Sequence, residues 1–217
     1  MPGKQIVIVD YGVGNLRSVQ KALEHVGAPA VIRSDPAAID PAVSDRPAGI
    51  VLPGVGAFGD GMAELRRRGL VAPLRCWVAA GRPLLGICLG MQLLFDSSEE
   101  MGEHGGLGLL SGRVVRFPPG DLKVPHVGWN QLRLAGSSSQ GQHPLLAGVA
   151  DGAYAYFVHS YYAEPAEPGD VLAMTDYGLS FAAIVGRGRV WGAQFHPEKS
   201  QEVGLQLLSN FWRLVKE

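Results

Sequence analysis

Short apolar runs alternate with amphipathic stretches along the first half of the chain. Runs rich in Val, Ile and Leu predict buried strands at residues 5–10, 29–33, 49–52 and 83–87. Apolar residues at helical spacing predict helices over residues 15–26 and 61–80, and the same spacing resumes at 93–95. We expect the second helix to break near Gly69 and Pro73. Strands that alternate with helices in this way predict a parallel α/β sheet.

The second half of the chain is richer in strands. They are predicted at residues 114–117, 131–134, 154–158, 171–175, 181–185 and 190–195, with few helices between them. The last two, joined through residues 186–189 (GRGR), predict an antiparallel hairpin. Residues 201–216 carry apolar side chains at helical spacing and predict a closing amphipathic helix.

Length and composition indicate one domain over residues 1–217. The chain has 217 residues, of which 47% are hydrophobic and 18% charged. A chain of this length buries about 70% of its surface on folding, so it needs neither disulfides nor a structural metal for stability. The polar loop at residues 137–142 (SSSQGQ) is too short to link two domains.

Charge and targeting signals exclude several classes of partner. Nineteen Lys and Arg residues against twenty Asp and Glu give a formal charge of −1, which argues against a general nucleic-acid partner. No apolar run approaches the ~20 residues that span a bilayer, so no membrane partner is predicted. Two cysteines cannot form a secreted disulfide framework, and the sequence start lacks the apolar region of a signal peptide. We therefore expect a cytoplasmic protein.

Cys88 is the candidate nucleophile. Residues 86–90 (GICLG) place it at a strand-to-helix turn between two glycines, the spacing of a nucleophile elbow with Cys in place of Ser. So sharp a turn requires glycines, because strand and helix approach closely there. The alternative is that Cys88 is a small buried hydrophobic residue. Cys76 lacks the glycine context, and we predict that it only packs.

A nucleophilic cysteine needs a base, and His196 is best placed for this role. It follows a predicted strand, and in His196-Pro197-Glu198 the carboxylate of Glu198 can accept the imidazole N–H, which completes a Cys-His-Glu triad. The alternative is a structural histidine. The other candidates lack a carboxylate in register and are assigned structural or substrate-shaping roles: His126, His143 and His159. No pair has the spacing of metal ligands, so no metal site is predicted.

Two glycine-rich loops follow predicted strands. Residues 11–15 (YGVGN) lack the third glycine of a dinucleotide fingerprint and the lysine of a P-loop, so no nucleotide cofactor is predicted. Residues 53–56 (PGVG) contain glycines that let a peptide rotate, which suits a backbone N–H in an oxyanion hole.

Two motifs resemble the signature of class I (triad) glutamine amidotransferases: residues 83–92 (PLLGICLGMQ) and 194–198 (QFHPE). Further segments resemble those members that supply ammonia to a cyclase in histidine biosynthesis: residues 10–19, 52–58, 125–130, 156–162 and 199–200. The similarity covers nearly the whole chain. It implies an α/β fold with a flavodoxin-like, mostly parallel central sheet flanked by helices, and an antiparallel extension in the C-terminal half.

The resemblance also implies an activity, which is hydrolysis of L-glutamine to glutamate and ammonia by Cys88, His196 and Glu198. Ammonia would pass to a (β/α)8-barrel cyclase, joined to this chain as a heterodimer, which makes imidazole glycerol phosphate and aminoimidazole carboxamide ribotide. No cofactor is implied. We expect the loop at residues 53–56 to be inactive until the cyclase binds its ribonucleotide.

By the same resemblance, further residues receive roles. The oxyanion donors would be the N–H groups of Leu89 and, after a peptide flip, Val55. Glutamine would be held by Gly54, Gln92, Glu100, His159, Ser160 and Tyr161. The partner interface would include Asn15, Trp129 and Lys199.

Two other functions also fit the sequence. The first is a triad amidotransferase or γ-glutamyl hydrolase that shares Cys88, His196 and Glu198 but serves another acceptor. The second is a non-catalytic flavodoxin-like regulatory subunit, in which Cys88 belongs only to the core.

Overall fold

A computed structural model describes residues 4–41, 47–135 and 143–216. The predicted polar loop at residues 137–142 lies outside the described residues, as do the first three residues. The strands, in chain order, are β1 Gln5–Val9, β2 Ala30–Arg33, β3 Pro47–Gly54, β4 Leu84–Cys88, β5 Ser97–Ser98, β6 His104–Gly105, β7 Gly112–Arg116, β8 His126–Gln131, β9 Arg133–Leu134, β10 Tyr154–His159, β11 Tyr161–Pro165, β12 Val171–Asp176, β13 Ser180–Arg187 and β14 Val190–Ala193. The α-helices are α1 Leu16–His25, α2 Phe58–Arg67, α3 Val71–Ala79, α4 Leu89–Gln92 and α5 Gln201–Lys216.

The central sheet has the strand order β2-β1-β3-β4-β14-β13-β12-β9. Its first five strands are parallel, and β13, β12 and β9 continue it in antiparallel pairing. A two-stranded sheet of β8 and β10 and a four-stranded sheet of β11, β7, β5 and β6 accompany it. The predicted α/β fold with a mostly parallel sheet and an antiparallel extension is confirmed, as is the hairpin between β13 and β14.

Helices cover both faces of the central sheet because the parallel strands are apolar on both sides. On β1, Ile6 and Ile8 pack in one cluster with buried residues of α1 and α5, whereas Val7 and Val9 pack with those of α2 and α3. Alternate residues of a strand point to opposite faces, so a continuous apolar run serves both layers.

The helical stretch predicted over 61–80 begins earlier and is divided only once. α2 starts at Phe58 and ends before Gly69, which adopts φ +68, a conformation that glycine tolerates. Pro73 does not break the chain, contrary to the prediction. It is the third residue of α3, and the first-turn N–H groups of a helix have no intrahelical acceptor, so proline is accommodated there.

Residues 93–95 form a turn rather than the predicted helix. The carbonyl of Leu93 accepts the N–H of Leu107 at 2.9 Å, and that of Leu94 accepts the N–H of Leu109 at 2.8 Å. These carbonyls would bond N–H groups four residues later in a continuing helix. Pairing with a distant loop therefore ends α4 at Gln92.

Strand boundaries in the second half also differ from the prediction. β8 begins five residues before the predicted start at residue 131, and Leu132 separates it from β9. The sequence pattern did not predict β5, β6 or β11. β5 and β6 have two residues each, too few to give a period-two pattern.

Cys76 is exposed, so the prediction that it packs is wrong. The buried residues of α3 are Leu74 and Trp77. Cys76 is two positions from Leu74, about 200° around a helix of 3.6 residues per turn, which turns it toward solvent. Within the described ranges, no helix is both long and apolar enough to cross a membrane.

Of the glycines that the structure describes, Gly90 is the one where a Cβ would meet its nearest neighbour at the shortest distance. A Cβ on Gly90 would lie 1.7 Å from the carbonyl oxygen of Leu52 in β3. We expect Gly90→Ala to lower the free energy of unfolding by about 3 kcal/mol or more, measured by urea denaturation. Gly169→Ala is the matched control, because a Cβ there meets nothing within 4 Å. Equal stability of the two variants would contradict this packing.

Candidate active site

The carboxyl ends of three neighbouring parallel strands meet at one edge of the central sheet. β3 ends at Gly54, which pairs with Cys88 at the end of β4. β14, on the other side of β4, ends at Ala193, three residues before His196. Ligand sites of open α/β sheets lie at this edge. The chain's alternation of strand and helix thus brings Cys88 and His196 together across 108 residues of sequence.

Cys88 lies on a strained turn. Its backbone has φ 54 and ψ −113, in the left-handed half of conformational space that residues with a Cβ rarely adopt. A Cβ on Gly86 would come within 2.6 Å of the Gly90 carbonyl oxygen, and one on Gly90 would overlap Leu52. Both glycines are therefore sterically required, and α4 begins immediately after the cysteine.

His196 and Glu198 form a buried pair. The Nδ1 atom of His196 lies 2.9 Å from Oε1 of Glu198, and their side chains are 3% and 2% exposed. The Nε2 atom of His196 and Oε2 of Glu198 are buried without a hydrogen-bond partner among the described residues. Because Glu198 holds Nδ1, the other ring nitrogen is left for proton exchange.

The pKa of His196 reflects two opposed effects. Burial lowers it, but interactions with the Cys88 thiol and with the Glu198 carboxylate outweigh burial and raise the pKa to about 9. His196 therefore holds a proton at neutral pH, and its positive charge is stabilised by the Cys88 sulfur and the Glu198 carboxylate.

The backbone of Tyr156 in β10 fixes the turn that carries His196. The Tyr156 carbonyl accepts the N–H of His196 at 3.0 Å, and the Tyr156 N–H donates to the hydroxyl of Ser200 at 3.0 Å. The same hydroxyl donates to the His196 carbonyl at 2.7 Å. Sequence reasoning did not single out Ser200 for this role, since a lone serine after a motif carries no local signal.

A cavity of about 330 Å³ opens beside Cys88, within the size range of small-molecule sites. Its lining includes nine of the residues predicted for the site: Val55, Cys88, Leu89, Gln92, Glu100, His159, Ser160, Tyr161 and His196. Gly56, Pro125 and Val158 complete it. Gly54, Glu198 and the three predicted interface residues are not part of this lining.

Two buried amides connect the cavity wall to the thiol. Gln92 donates from Nε2 to the carbonyl of Tyr161 at 2.8 Å and to Oε1 of Gln194 at 3.0 Å. Gln194 is fully buried, and its own Nε2 donates to the sulfur of Cys88 at 3.9 Å. Gln194 was missed as a site residue, although it opens the QFHPE motif.

His126 and His159 form a neutral hydrogen-bonded relay. His159 Nδ1 lies 2.8 Å from the Tyr161 carbonyl and must donate to it, so His159 Nε2 accepts from His126 Nδ1 at 3.2 Å. His126 Nε2 in turn accepts from Asn130 at 3.3 Å. Burial lowers the pKa of His126 to about 4 and that of His159 to about 3. The relay therefore supports the cavity wall without carrying charge.

His143 has a structural position. Its ring accepts the N–H of Leu145 at 3.1 Å and so caps the short 3₁₀ helix Pro144–Leu146. Burial lowers the pKa of His143. The described contacts therefore account for this histidine without catalysis.

The loop after β3 combines exposure with a fixed helix start. Val55 is 43% exposed, and Gly56 has φ +95 with open space around it. Glu100 accepts the N–H of Phe58, the first residue of α2, at 2.6 Å. This bond fixes the start of α2. Val55 and Gly56, by contrast, lie in a more open part of the loop.

An exposed face of β8 and β10 lies next to the His196 turn. Trp129 is 46% exposed and meets the ring of Tyr156 edge-on at 5.9 Å, and the ammonium group of Lys199 lies 5.7 Å from that ring. Val127 and Tyr154 are also exposed on these strands. We call Val127, Trp129, Tyr154, Tyr156 and Lys199 the aromatic face.

Asn15, the remaining predicted interface residue, is exposed before α1 and makes no side-chain capping bond.

This chain belongs to the class-I glutamine amidotransferases, whose family description matches residues 7–214. Solved structures agree with the fold. The structure of PurLQS from Thermotoga maritima has a TM-score of 0.74 at 19% identity, over 98% of this chain and 99% of that one. A crystal structure of a glutamine amidotransferase has a TM-score of 0.69 at 21% identity, over 94% and 98%.

Within that class, the chain belongs to the family of HisH subunits of imidazole glycerol phosphate synthase. It is 55% identical over 212 residues to the subunit of Desulfitobacterium hafniense, which covers 98% of this chain and 95% of the relative. It is 53% identical over 211 residues to the subunit of Symbiobacterium thermophilum, covering 97% and 94%. The predicted family resemblance is confirmed.

The raised pKa of His196 predicts a measurable coupling to Cys88. In Cys88→Ala we expect the pKa of His196 to fall from about 9 by roughly one unit or more, followed by NMR of the imidazole signals. Because the folded pKa exceeds the ordinary 6.5, protonated His196 stabilises the fold; this contribution is complete below about pH 6.5 and is lost as pH rises through about 9. Cys76→Ala is the control, and identical titrations in both variants would refute the coupling.

Proposed function

We propose that this chain is the glutaminase subunit of imidazole glycerol phosphate synthase and hydrolyses L-glutamine to glutamate and ammonia for histidine biosynthesis. Its membership of the HisH family supports this activity. The observation that carries it is the buried His196–Glu198 pair beside a cysteine on a strained elbow. Residues 1–217 act as one glutamine amidotransferase domain in this proposal.

The first half of the reaction forms a thioester. His196 takes the proton of the Cys88 thiol, and the sulfur attacks the side-chain amide carbon of glutamine. The N–H groups of Leu89 and Val55 stabilise the negative oxygen of the tetrahedral intermediate. His196 then gives its proton to the departing nitrogen, which leaves as ammonia while the γ-glutamyl thioester remains on Cys88.

The second half regenerates the enzyme. His196 removes a proton from a water molecule that attacks the thioester, and glutamate leaves as the thiol recovers a proton. Glu198 keeps the imidazole in one tautomer and stabilises its protonated form through both steps. The raised pKa of His196 agrees with this role, since the imidazole must be protonated whenever a leaving group departs.

Substrate orientation is assigned to Gln92, Glu100 and residues 159–161 in the cavity wall. Gln92 and residues 159–161 hold the amino-acid end of glutamine, and Glu100 meets its ammonium group while still accepting the Phe58 N–H. Gly54, within the loop at residues 53–56, also contacts the bound glutamine in this proposal. Both hydrogens of Gln92 are engaged by Tyr161 and Gln194, so its amide oxygen faces the substrate as an acceptor.

The partner in this proposal is a (β/α)8-barrel cyclase bound as a heterodimer in the cytoplasm. It uses the ammonia to make imidazole glycerol phosphate and aminoimidazole carboxamide ribotide. The aromatic face and Asn15 form the docking surface, because exposed Trp and Tyr side chains are typical of interfaces. The loop at residues 53–56 turns the Val55 N–H inward only when the cyclase holds its ribonucleotide.

Replacing the proposed nucleophile should affect synthesis from glutamine but not synthesis from free ammonia. We expect Cys88→Ala to lower glutamine-dependent synthesis by more than about a thousandfold, because no thioester forms, and to leave ammonia-dependent synthesis intact. The measurement compares product formation by the cyclase complex with either nitrogen source. Cys76→Ala, at the exposed cysteine, should retain both activities. Loss of both activities in Cys88→Ala would mean that the cysteine is structural.

If the cyclase docks on the aromatic face, its affinity for this chain should depend on Trp129. We expect Trp129→Ala to raise the dissociation constant for the cyclase about 30-fold, an effect of about 2 kcal/mol typical of a buried interface Trp, and Lys199→Ala to raise it less. Titration calorimetry measures both.

Arg82→Ala is the control for the docking experiment, because Arg82 lies 4.9 Å from the Trp77 ring just before β4 begins, at the opposite edge of the sheet. Unchanged affinity in Trp129→Ala and Lys199→Ala would refute this docking surface.

A further inference from the structure

Tyr11 carries a buried hydroxyl group that the mechanism has not used. The residue follows β1, its side chain is fully buried, and its oxygen makes no hydrogen bond within the described part of the chain. A buried hydroxyl without a partner costs folding free energy. Burial and the nearby Cys88 both raise the pKa of Tyr11, so the group remains a neutral donor.

The Tyr11 oxygen lies against the backbone of Gly54. A Cβ built on Gly54 would meet that oxygen at 2.2 Å, nearer than Leu89 Cβ at 2.9 Å or the Gly90 nitrogen at 3.1 Å. Gly54 ends β3 and immediately precedes Val55. The peptide group between them therefore carries both the Gly54 carbonyl and the N–H of Val55, the proposed oxyanion donor.

The planarity of that peptide links its two polar groups. In a trans peptide the N–H of Val55 and the carbonyl of Gly54 point in opposite directions. A rotation that turns the N–H toward the oxyanion therefore turns the carbonyl away from it. Gly54 is buried, so its carbonyl needs a protein donor in the new orientation.

We propose that the Tyr11 hydroxyl donates a hydrogen bond to the Gly54 carbonyl when the loop at residues 53–56 takes its active orientation. Tyr11 is then a positioning residue for the oxyanion hole, an inference that rests on the proposed glutaminase function. In the resting orientation the donor is unpaired, so the bond stabilises the active orientation alone. It raises turnover without tightening substrate binding.

Tyr11→Phe tests this directly, since it removes only the oxygen. With the cyclase complex loaded with ribonucleotide, we expect kcat for glutamine hydrolysis to fall about tenfold, with KM for glutamine changed less than about twofold. The ratio of loaded to unloaded activity should fall by the same factor. The free energy of unfolding of the isolated chain should be unchanged or higher, because the resting hydroxyl has no partner to lose.

Tyr162→Phe is the matched control, because its hydroxyl bonds Glu164 at 3.4 Å outside the cavity, and it should keep the kcat of the unmodified complex. Unchanged kcat in Tyr11→Phe overturns the inference. A fall in kcat accompanied by a lower free energy of unfolding also overturns it, because the hydroxyl would then stabilise the resting fold. A loaded complex of the unmodified chain that does not hydrolyse glutamine refutes the proposed function itself, and this inference with it.

Discussion

The close approach of Gly90 to the carbonyl oxygen of Leu52 determines where Cys88 lies. A Cβ at position 90 would lie 1.7 Å from that oxygen. Helix α4 can therefore start next to β3 and β4 only if position 90 is glycine. The chain must then turn within one residue, which gives Cys88 its positive φ and directs it to the carboxyl edge of the sheet. The same edge receives Gly54 from β3 and His196 from beyond β14, so the site depends on this one close approach.

Histidines around one cavity differ in charge because their partners differ. His159 and His126 are bonded to a carbonyl, to an amide and to each other, so burial dominates and lowers their pKa values to about 3 and 4. His196 is also buried, but Glu198 and Cys88 offset that penalty and raise its pKa to about 9. The proposed proton transfer thus falls to one imidazole, while the neutral pair holds the Tyr161 carbonyl that also accepts from Gln92.

Features encoded locally could be predicted from the sequence, whereas features set by distant contacts could not. The strands of the central sheet, α5 and the β13–β14 hairpin follow from hydrophobic spacing and turn residues, and the elbow at Cys88 follows from its two glycines. The turn at residues 93–95 depends on carbonyls that bond residues 107–110, which no periodicity indicates. Gln194 and Tyr11 acquire their contacts only when strands remote in sequence become neighbours, so neither the QFHPE motif nor the YGVGN loop indicated what these side chains contact.

Several unfavourable features of the fold lie around Cys88. In the described residues, the buried side-chain polar atoms without a partner include the Tyr11 oxygen, Nε2 of His196 and Oε2 of Glu198, and Cys88 has a strained backbone. Buried polar atoms are normally paired, because leaving one unpaired costs about 1–3 kcal/mol. The apolar layers on both faces of the sheet stabilise the fold enough to tolerate these costs. Under the proposed mechanism, two of these atoms act during turnover: Nε2 of His196 exchanges protons with the thiol and the leaving group, and the Tyr11 hydroxyl gains a peptide carbonyl as its partner. On this proposal, the resting fold lacks hydrogen bonds that form only as the reaction proceeds, so those bonds favour the transition state over the ground state.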